Sequence, residues 1–475
     1  MTRINPTDLS FLLLERSNRP FHMAAFIIFQ KPKGQHSTFG PRLFDAYRQS
    51  RPVKPFNYKL TWLGKNVAAW ETVEPDMCYH LRHIAIPGPG SMQQFYETVS
   101  FLNTGLLDRG HPLWECYIID GIENGRLAVM LKVHHALLDG ESGLRVLRNF
   151  LSDSPRDKTL AAPWTAVAGA DKPRRPPSRA SQIQRVQAML KGLAKLPGDL
   201  LGVGGDVLDL GVQSLNLKPR KAAVPFTARR TLFNNTAKSG ARAYANMELP
   251  LADVKAVAKA TGTSVNDVVM TAIDDALHHY LREHRAATDR PLVAFMPMSL
   301  RAESGEAGGN QVSAELIPMG QPDVDLRERL RQINRATCDA KAKGRGMQTT
   351  TRQAYVLLLA GCLAASDTLP WFDKVPSANV VISNMKGPSG QLYLAGAPAV
   401  AFHGLPILPP GAGLNVTFAS VNTDICLAIG AAPEAVHEPY RLAQLIEAAF
   451  QQLQTDTGTT AHGSPSPVPA GVAGT

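Results

Sequence analysis

From residue 152 to about residue 228 the chain becomes rich in Pro, Gly, Lys and Arg, and Pro155, Pro163, Pro173, Pro176 and Pro177 forbid a long helix across its first part. A continuous core cannot be built through such a stretch. It reads as a linker between two folded domains, and a length of 475 residues suits that division. The expected boundaries are an N-terminal domain over 1–152, a basic linker over 153–228, a C-terminal domain over 229–454 and a disordered tail over 455–475.

The linker also carries most of the charge. The whole chain has a net charge of +10, and residues 156–230 alone hold 14 Lys/Arg against 5 Asp/Glu. A basic segment attracts nucleic acid, anionic lipid or a phosphorylated molecule. Trp164 and Phe226 are its only aromatic residues, so stacking platforms for single strands are missing and nucleic acid is set aside. Ile183, Val186, Met189, Leu190 and Leu193 fall on one helical face, with Arg185, Lys191 and Lys195 elsewhere. That pattern fits either an interfacial helix or a helix packed on its own domain.

Elsewhere the composition is that of an ordinary globular chain, 44% hydrophobic and 19% charged. The five cysteines, Cys78, Cys116, Cys338, Cys362 and Cys426, never show CxxC spacing. They read as buried thiols of a reducing compartment, with neither a disulfide frame nor a metal site. The N-terminus lacks a basic head followed by an apolar run, and the apolar stretch 354–365 is too short to span a bilayer. The expectation is a cytoplasmic protein that meets membranes from one face.

Local patterning predicts mixed α/β domains. A helical opening with Pro6, Asp8 and Phe11 precedes an apolar strand over 21–30. Residues 116–120 and 127–133 are β-rich runs around Asn124-Gly125, a hairpin signal. Leu144, Leu147, Phe150 and Leu151 then recur at helical spacing. The second half predicts helices over 251–259 and 265–283. Strand-like runs follow at 292–298, 311–319, 379–383 and 414–421, and an amphipathic helix holds Leu442, Leu445, Ile446, Ala449, Phe450 and Leu453.

The chemistry concentrates at the exit of the hairpin, in His134-His135-x-x-x-Asp139-Gly140. A neutral imidazole can take the proton of a hydroxyl as its oxygen attacks a carbonyl, and one histidine suffices. Neighbouring side chains on a strand face opposite ways, and a turn there can aim His135 into a cleft while His134 packs behind. Asp139 either orients the imidazole directly or holds the loop by pairing with an arginine, the role preferred here; Gly140 gives the turn its permissive backbone. Ser264 or Thr263 can cap the helix beginning near Val265. Asn266 then lies in a first turn that favours negative charge, a candidate donor to an oxyanion with Asp267 beside it. The plainer reading is that Asn266 and Asp267 only stabilise the helix start. His278-His279 lack a following Asp-Gly and read as packing or surface residues.

With these residues the chain resembles the bacterial wax ester synthase/acyl-CoA:diacylglycerol acyltransferase family, related to chloramphenicol acetyltransferase-like and condensation enzymes. The resemblance spans roughly residues 6–453. Besides the His-His segment it rests on Pro112-Leu113-Trp114-Glu115, Ser264-Val265-Asn266-Asp267, Pro297-Met298-Ser299-Leu300-Arg301, Gly309-Asn310-Gln311-Val312-Ser313, Ser383-Asn384 with Gly387-Pro388, and Leu414-Asn415-Val416-Thr417. Met385-Lys386 stand where the family usually has Val-Pro.

The resemblance implies two chloramphenicol acetyltransferase-like domains in a V with a tunnel or cleft between them. Acyl-CoA would be a co-substrate, with no bound cofactor or metal, and a fatty alcohol or diacylglycerol the acceptor. His135 would be the general base, with no acyl-enzyme. The family's usual aspartate–arginine bridge points to Arg301 as the partner of Asp139. The setting would be peripheral, at the inner membrane or lipid inclusions. Two competing functions share these features: a non-catalytic lipid- or droplet-binding protein, and a CoA-dependent acyltransferase with another acceptor. Acceptor choice depends on tunnel shape, which motif residues do not encode.

Overall fold

A computed structural model describes residues 2–4, 6–64, 67–138, 150–165, 226–299, 312–346, 376–387 and 390–459, together with 142, 143, 146 and 148. Its first half runs β1 (Thr2–Arg3), α1 (Pro6–Leu14), β2 (His22–Gln30), α2 (Phe39–Gln49), β3 (Tyr58–Gly64), β4 (Val67–Thr72), α3 (Met77–His80), β5 (Leu81–Ala85), α4 (Met92–Thr104), β6 (Trp114–Ile122) and β7 (Arg126–His134). The second runs β8 (Ala243–Pro250), α5 (Leu251–Thr261), α6 (Val265–Glu283), β9 (Val293–Ser299), β10 (Val312–Pro318), α7 (Leu326–Gly346), β11 (Val380–Lys386), β12 (Tyr393–Leu394), β13 (Ala397–Leu405), β14 (Leu414–Val421), β15 (Asp424–Ala431) and α8 (Pro439–Thr457).

The predicted hairpin forms as β6 and β7. Asn124 (φ 60°) and Gly125 (φ 68°) supply the left-handed pair that an Asn-Gly turn offers without strain. β7 pairs along its whole length with β2, from Gln30↔Arg126 to His22↔His134. Both strands are apolar on both faces. Ile27, Phe29, Val129 and Leu131 enter one core, while Phe26, Ile28, Ala128 and Met130 enter the other, as expected for central strands covered on two sides.

The sheets show a feature that no local pattern announced. The first is ordered β12-β13-β2-β7-β6-β5 and the second β10-β9-β11-β14-β15-β8, so two strands from the second half complete the edge of the first sheet. β13 runs antiparallel to β2, with Ala401 opposite Ile28 and Leu405 opposite Ala24. A three-stranded sheet, β1-β4-β3, stands apart.

In the second half α6 is buried nearly all round, polar residues such as Asp267, Asp274 and His278 included, and is wrapped by α5, α7, α8 and the sheet. Ser264 caps it: its Oγ accepts from Asp267 N–H, and the Asp267 carboxylate accepts from Ser264 N–H, a reciprocal capping box.

Described structure continues past two of the expected boundaries. The stretch assigned to the linker from residue 153 begins as part of the first domain. Ser152 exchanges backbone hydrogen bonds with Tyr393, and Trp164 is fully buried, its Nε1 donating to Ser50 Oγ at 2.7 Å and its ring 4.9 Å from that of Trp114. Burying an indole outweighs the breaking tendency of the surrounding prolines. Past the other, at residue 455, α8 continues through Thr457 and ends at the left-handed Gly458. The amphipathic segment 183–193 and the remaining tail lie outside the described residues. Of the cysteines expected to be buried, Cys116 and Cys426 are, whereas Cys78 and Cys338 are exposed; Cys362 lies outside the described residues.

Candidate active site

β7 delivers the two histidines to different environments. His134 N–H donates to Leu113 O at 2.9 Å and His135 N–H to Phe21 O at 2.8 Å, so the backbone here is held by the segments that lead into β6 and β2. The Pro112-Leu113-Trp114-Glu115 station thereby acquires a role in framing the histidines. Trp114 is wholly buried, its Nε1 donating to Phe56 O at 2.7 Å.

His134 is buried and locked. Its Nδ1 accepts from Ala136 N–H at 3.0 Å, which leaves the ring proton on Nε2, 3.2 Å from Glu15 Oε1. His135, by contrast, is only half-buried, and its ring lies 4.7 Å from that of Phe11 at a 56° tilt. Of the pair, His135 is the more exposed.

Glu15, just beyond α1, was not anticipated. One oxygen accepts from Phe21 N–H at 3.1 Å and the other from Arg109 Nη2 at 3.1 Å, while the first also faces His134. Phe21 in turn accepts from His135 N–H, so this carboxylate steadies both histidines. Burial by itself raises its pKa, but His134, Phe21 N–H and Arg109 outweigh it and hold the group at about 2. A single acid at the end of a short helix carries no spacing signal. Behind His134, His22 opposes it on β2, and burial depresses the His22 pKa to about 3. His22 Nε2 donates to Asn103 O at 2.7 Å, and Asn103 Nδ2 donates to the Tyr244 hydroxyl of β8 at 2.6 Å, joining the two halves behind the site.

In the second half, the Ser264 and Ser383 stations meet. Asn384 Nδ2 donates to Asn266 Oδ1 at 3.3 Å, and Asn266 Nδ2 lies 3.2 Å from Met270 Sδ, a weak acceptor. Asp267 departs from the substrate-binding role expected of it. Its carboxylate accepts from Ser264, Asn334 Nδ2 at 2.8 Å and Thr337 Oγ1 at 2.7 Å. Burial tends to raise its pKa, yet these donors prevail and keep it low. An ionised carboxylate carries like charge and has no proton to donate, so it cannot stabilise a developing anion. Asp267 braces the helix start that carries Asn266. Asn415 similarly ties β14 to the preceding turn through Ile407 O at 2.6 Å. His278 is buried 3.7 Å from Asp274, and His279 is exposed, so both are outside this apparatus. Asp139, Gly140 and Arg301 lie outside the described residues.

Two family models cover most of the sequence: the wax ester synthase/diacylglycerol acyltransferase catalytic domain over residues 4–269, and the C-terminal domain of the same family over 308–454. The chain belongs to the wax ester synthase/diacylglycerol acyltransferase family. It is 74% identical over 464 residues to a Mycobacterium tuberculosis protein named probable diacylglycerol O-acyltransferase Tgs4, covering 97% of this chain and 98% of that one. A second M. tuberculosis relative, named probable diacylglycerol O-acyltransferase tgs2, is 32% identical over 469 residues, covering 96% and 100%. Among solved structures, the wax ester synthase/diacylglycerol acyltransferase from Marinobacter aquaeolei VT8 matches with TM-score 0.73 and 27% identity, over 96% of this chain and all of that one. The starter condensation domain of rhizomide synthetase, at 12% identity and TM-score 0.53 over 96% and 94%, shares the fold. The mixed α/β architecture expected from the sequence is therefore that of this acyltransferase family.

Proposed function

We propose that this enzyme transfers a fatty acyl group from acyl-CoA to the hydroxyl of diacylglycerol or a long-chain alcohol, with His135 as general base and Asn266 facing the oxyanion. The observation that carries the assignment is the asymmetry of the histidine pair. His134 is buried against Ala136 and Glu15, and His135 stands half-buried at the strand exit.

The acceptor oxygen attacks the thioester carbon as His135 takes its proton. The C–O bond forms, and the carbonyl oxygen becomes an oxyanion beside the helix start at Asn266. Collapse breaks the C–S bond, and the CoA thiolate recovers the proton from the imidazolium. Two substrates meeting at one base require no acyl-enzyme. Asp139 and Arg301 are proposed to hold the loop after His135, with Gly140 permitting its turn. The two halves are proposed to enclose a tunnel, and the protein to work at a membrane or lipid-inclusion surface. No described helix is long and apolar enough to cross a bilayer.

Release of free thiol from acyl-CoA in the presence of diacylglycerol tests the reading. His135→Ala is expected to lower turnover about 10²- to 10⁴-fold; normal turnover would remove His135 from the mechanism. Competition between hexadecanol and diacylglycerol assigns the preferred acceptor.

A further inference from the structure

We propose that Glu248, His403 and Cys426 form a site for a borderline-soft divalent cation, zinc foremost, which ties the crossing strand β13 to the C-terminal sheet. This goes beyond the acyl-transfer reading and does not rest on it.

One ligand atom from each of the three residues lies within 4.8 Å of the others. The positions 248, 403 and 426 have no motif spacing, so topology alone assembles them. Glu248 on β8 and Cys426 on β15 are directly opposed Cα partners and share a face of the second sheet. His403 sits on β13 in the first sheet, opposite Phe26. The cluster therefore bridges the two sheets where they abut.

The imidazole is poorly provided for without a cation. His403 is 4% exposed, and its Nε2 lies 3.4 Å from Glu248 Oε1, too long for a good charge-assisted hydrogen bond. Cys426 is buried as a free thiol. A cleft lined in part by Phe402, Glu248, Cys426 and Asp424 gives an ion a route to the cluster.

The donor set of one nitrogen, one sulfur and one carboxylate oxygen suits zinc better than a hard cation such as calcium or magnesium. Donor atoms around tetrahedral zinc stand roughly 3.5 Å apart, so a side-chain contraction of about 1 Å closes the site. The metal–sulfur bond forms as the thiol proton leaves to solvent, and thiolate plus carboxylate then balance the two positive charges. The fourth position falls to water or to the Asp424 carboxylate.

The test uses the full chain, stripped of metal with a chelator and titrated with cobalt(II) as a spectroscopic substitute. The expected result is one equivalent bound, with a thiolate-to-cobalt charge-transfer band that zinc displaces and with a rise in melting temperature on adding zinc. Cys426→Ser should abolish the band, and the Cys78→Ser/Cys338→Ser double variant, at exposed thiols, should keep it. Glu248→Gln changes a partly exposed side chain and retains the fold, so it decides the matter if Cys426→Ser misfolds; it should weaken binding roughly 10-fold or more. A folded wild-type protein without the band, a band surviving Cys426→Ser, or unchanged affinity in Glu248→Gln would overturn the site.

Discussion

Glu15 shows how much a side chain distant in sequence contributes to a histidine pair. Its carboxylate holds His134 directly and His135 through the Phe21 backbone. With its folded pKa near 2 and an unfolded value near 4.5, its contribution is fully present above pH 4.5 and is lost as pH falls toward 2. The shift corresponds to on the order of 3 kcal/mol. Glu15→Gln is expected to lower the denaturant midpoint at pH 7 and to flatten the loss of stability between pH 4.5 and 2. Turnover should fall as well, because the histidine frame loosens. A variant with the wild-type acid profile would show that the carboxylate is not this anchor.

At the scale of elements, the start of α6 sets a capping pair beside the proposed oxyanion donor. Ser264 and Asp267 exchange capping hydrogen bonds, whereas Asn266 touches Asn384 across the gap between two motifs. Ser264→Ala should lower stability by about 1 kcal/mol, with turnover reduced only modestly. Asn266→Ala should do the reverse, reducing kcat about 10²- to 10³-fold with little change in melting temperature. Equal kinetic effects in the two variants would assign Asn266 to the cap alone. Much of this was legible in the sequence because the signals are local: Asn124-Gly125 marks the hairpin, Thr263-Ser264 offers a cap, and period-3.6 patterning outlines α6 and α8. Trp164 was not legible, because nothing in a Pro-rich stretch tells that one indole has a buried partner 50 residues back in Trp114. Glu15 and the Glu248–His403–Cys426 cluster were hidden for the same reason, since contacts made by topology leave no period in the chain.

For the whole molecule, the two halves are not separable pieces. β13 closes the edge beside β2, and Tyr244, Arg242 and Asn18 add hydrogen bonds across the joint, Arg242 Nη2 donating to Asn18 O at 2.8 Å. A fragment ending at residue 165 should therefore be insoluble or aggregate, because the apolar strand Phe26–Phe29 loses its neighbour and becomes an open edge. Co-expression with residues 226–475 should restore soluble protein; a monomeric, folded fragment would contradict the shared sheet. The crossing strand also sets a timetable. Roughly 240 more residues must leave the ribosome after Thr165 before Leu405 emerges, on the order of tens of seconds at ordinary synthesis rates. Throughout that interval the strand that carries His134 and leads into His135 has a neighbour whose outer edge is bare, so the nascent N-terminal half should be a client for chaperones long before it is half of an enzyme.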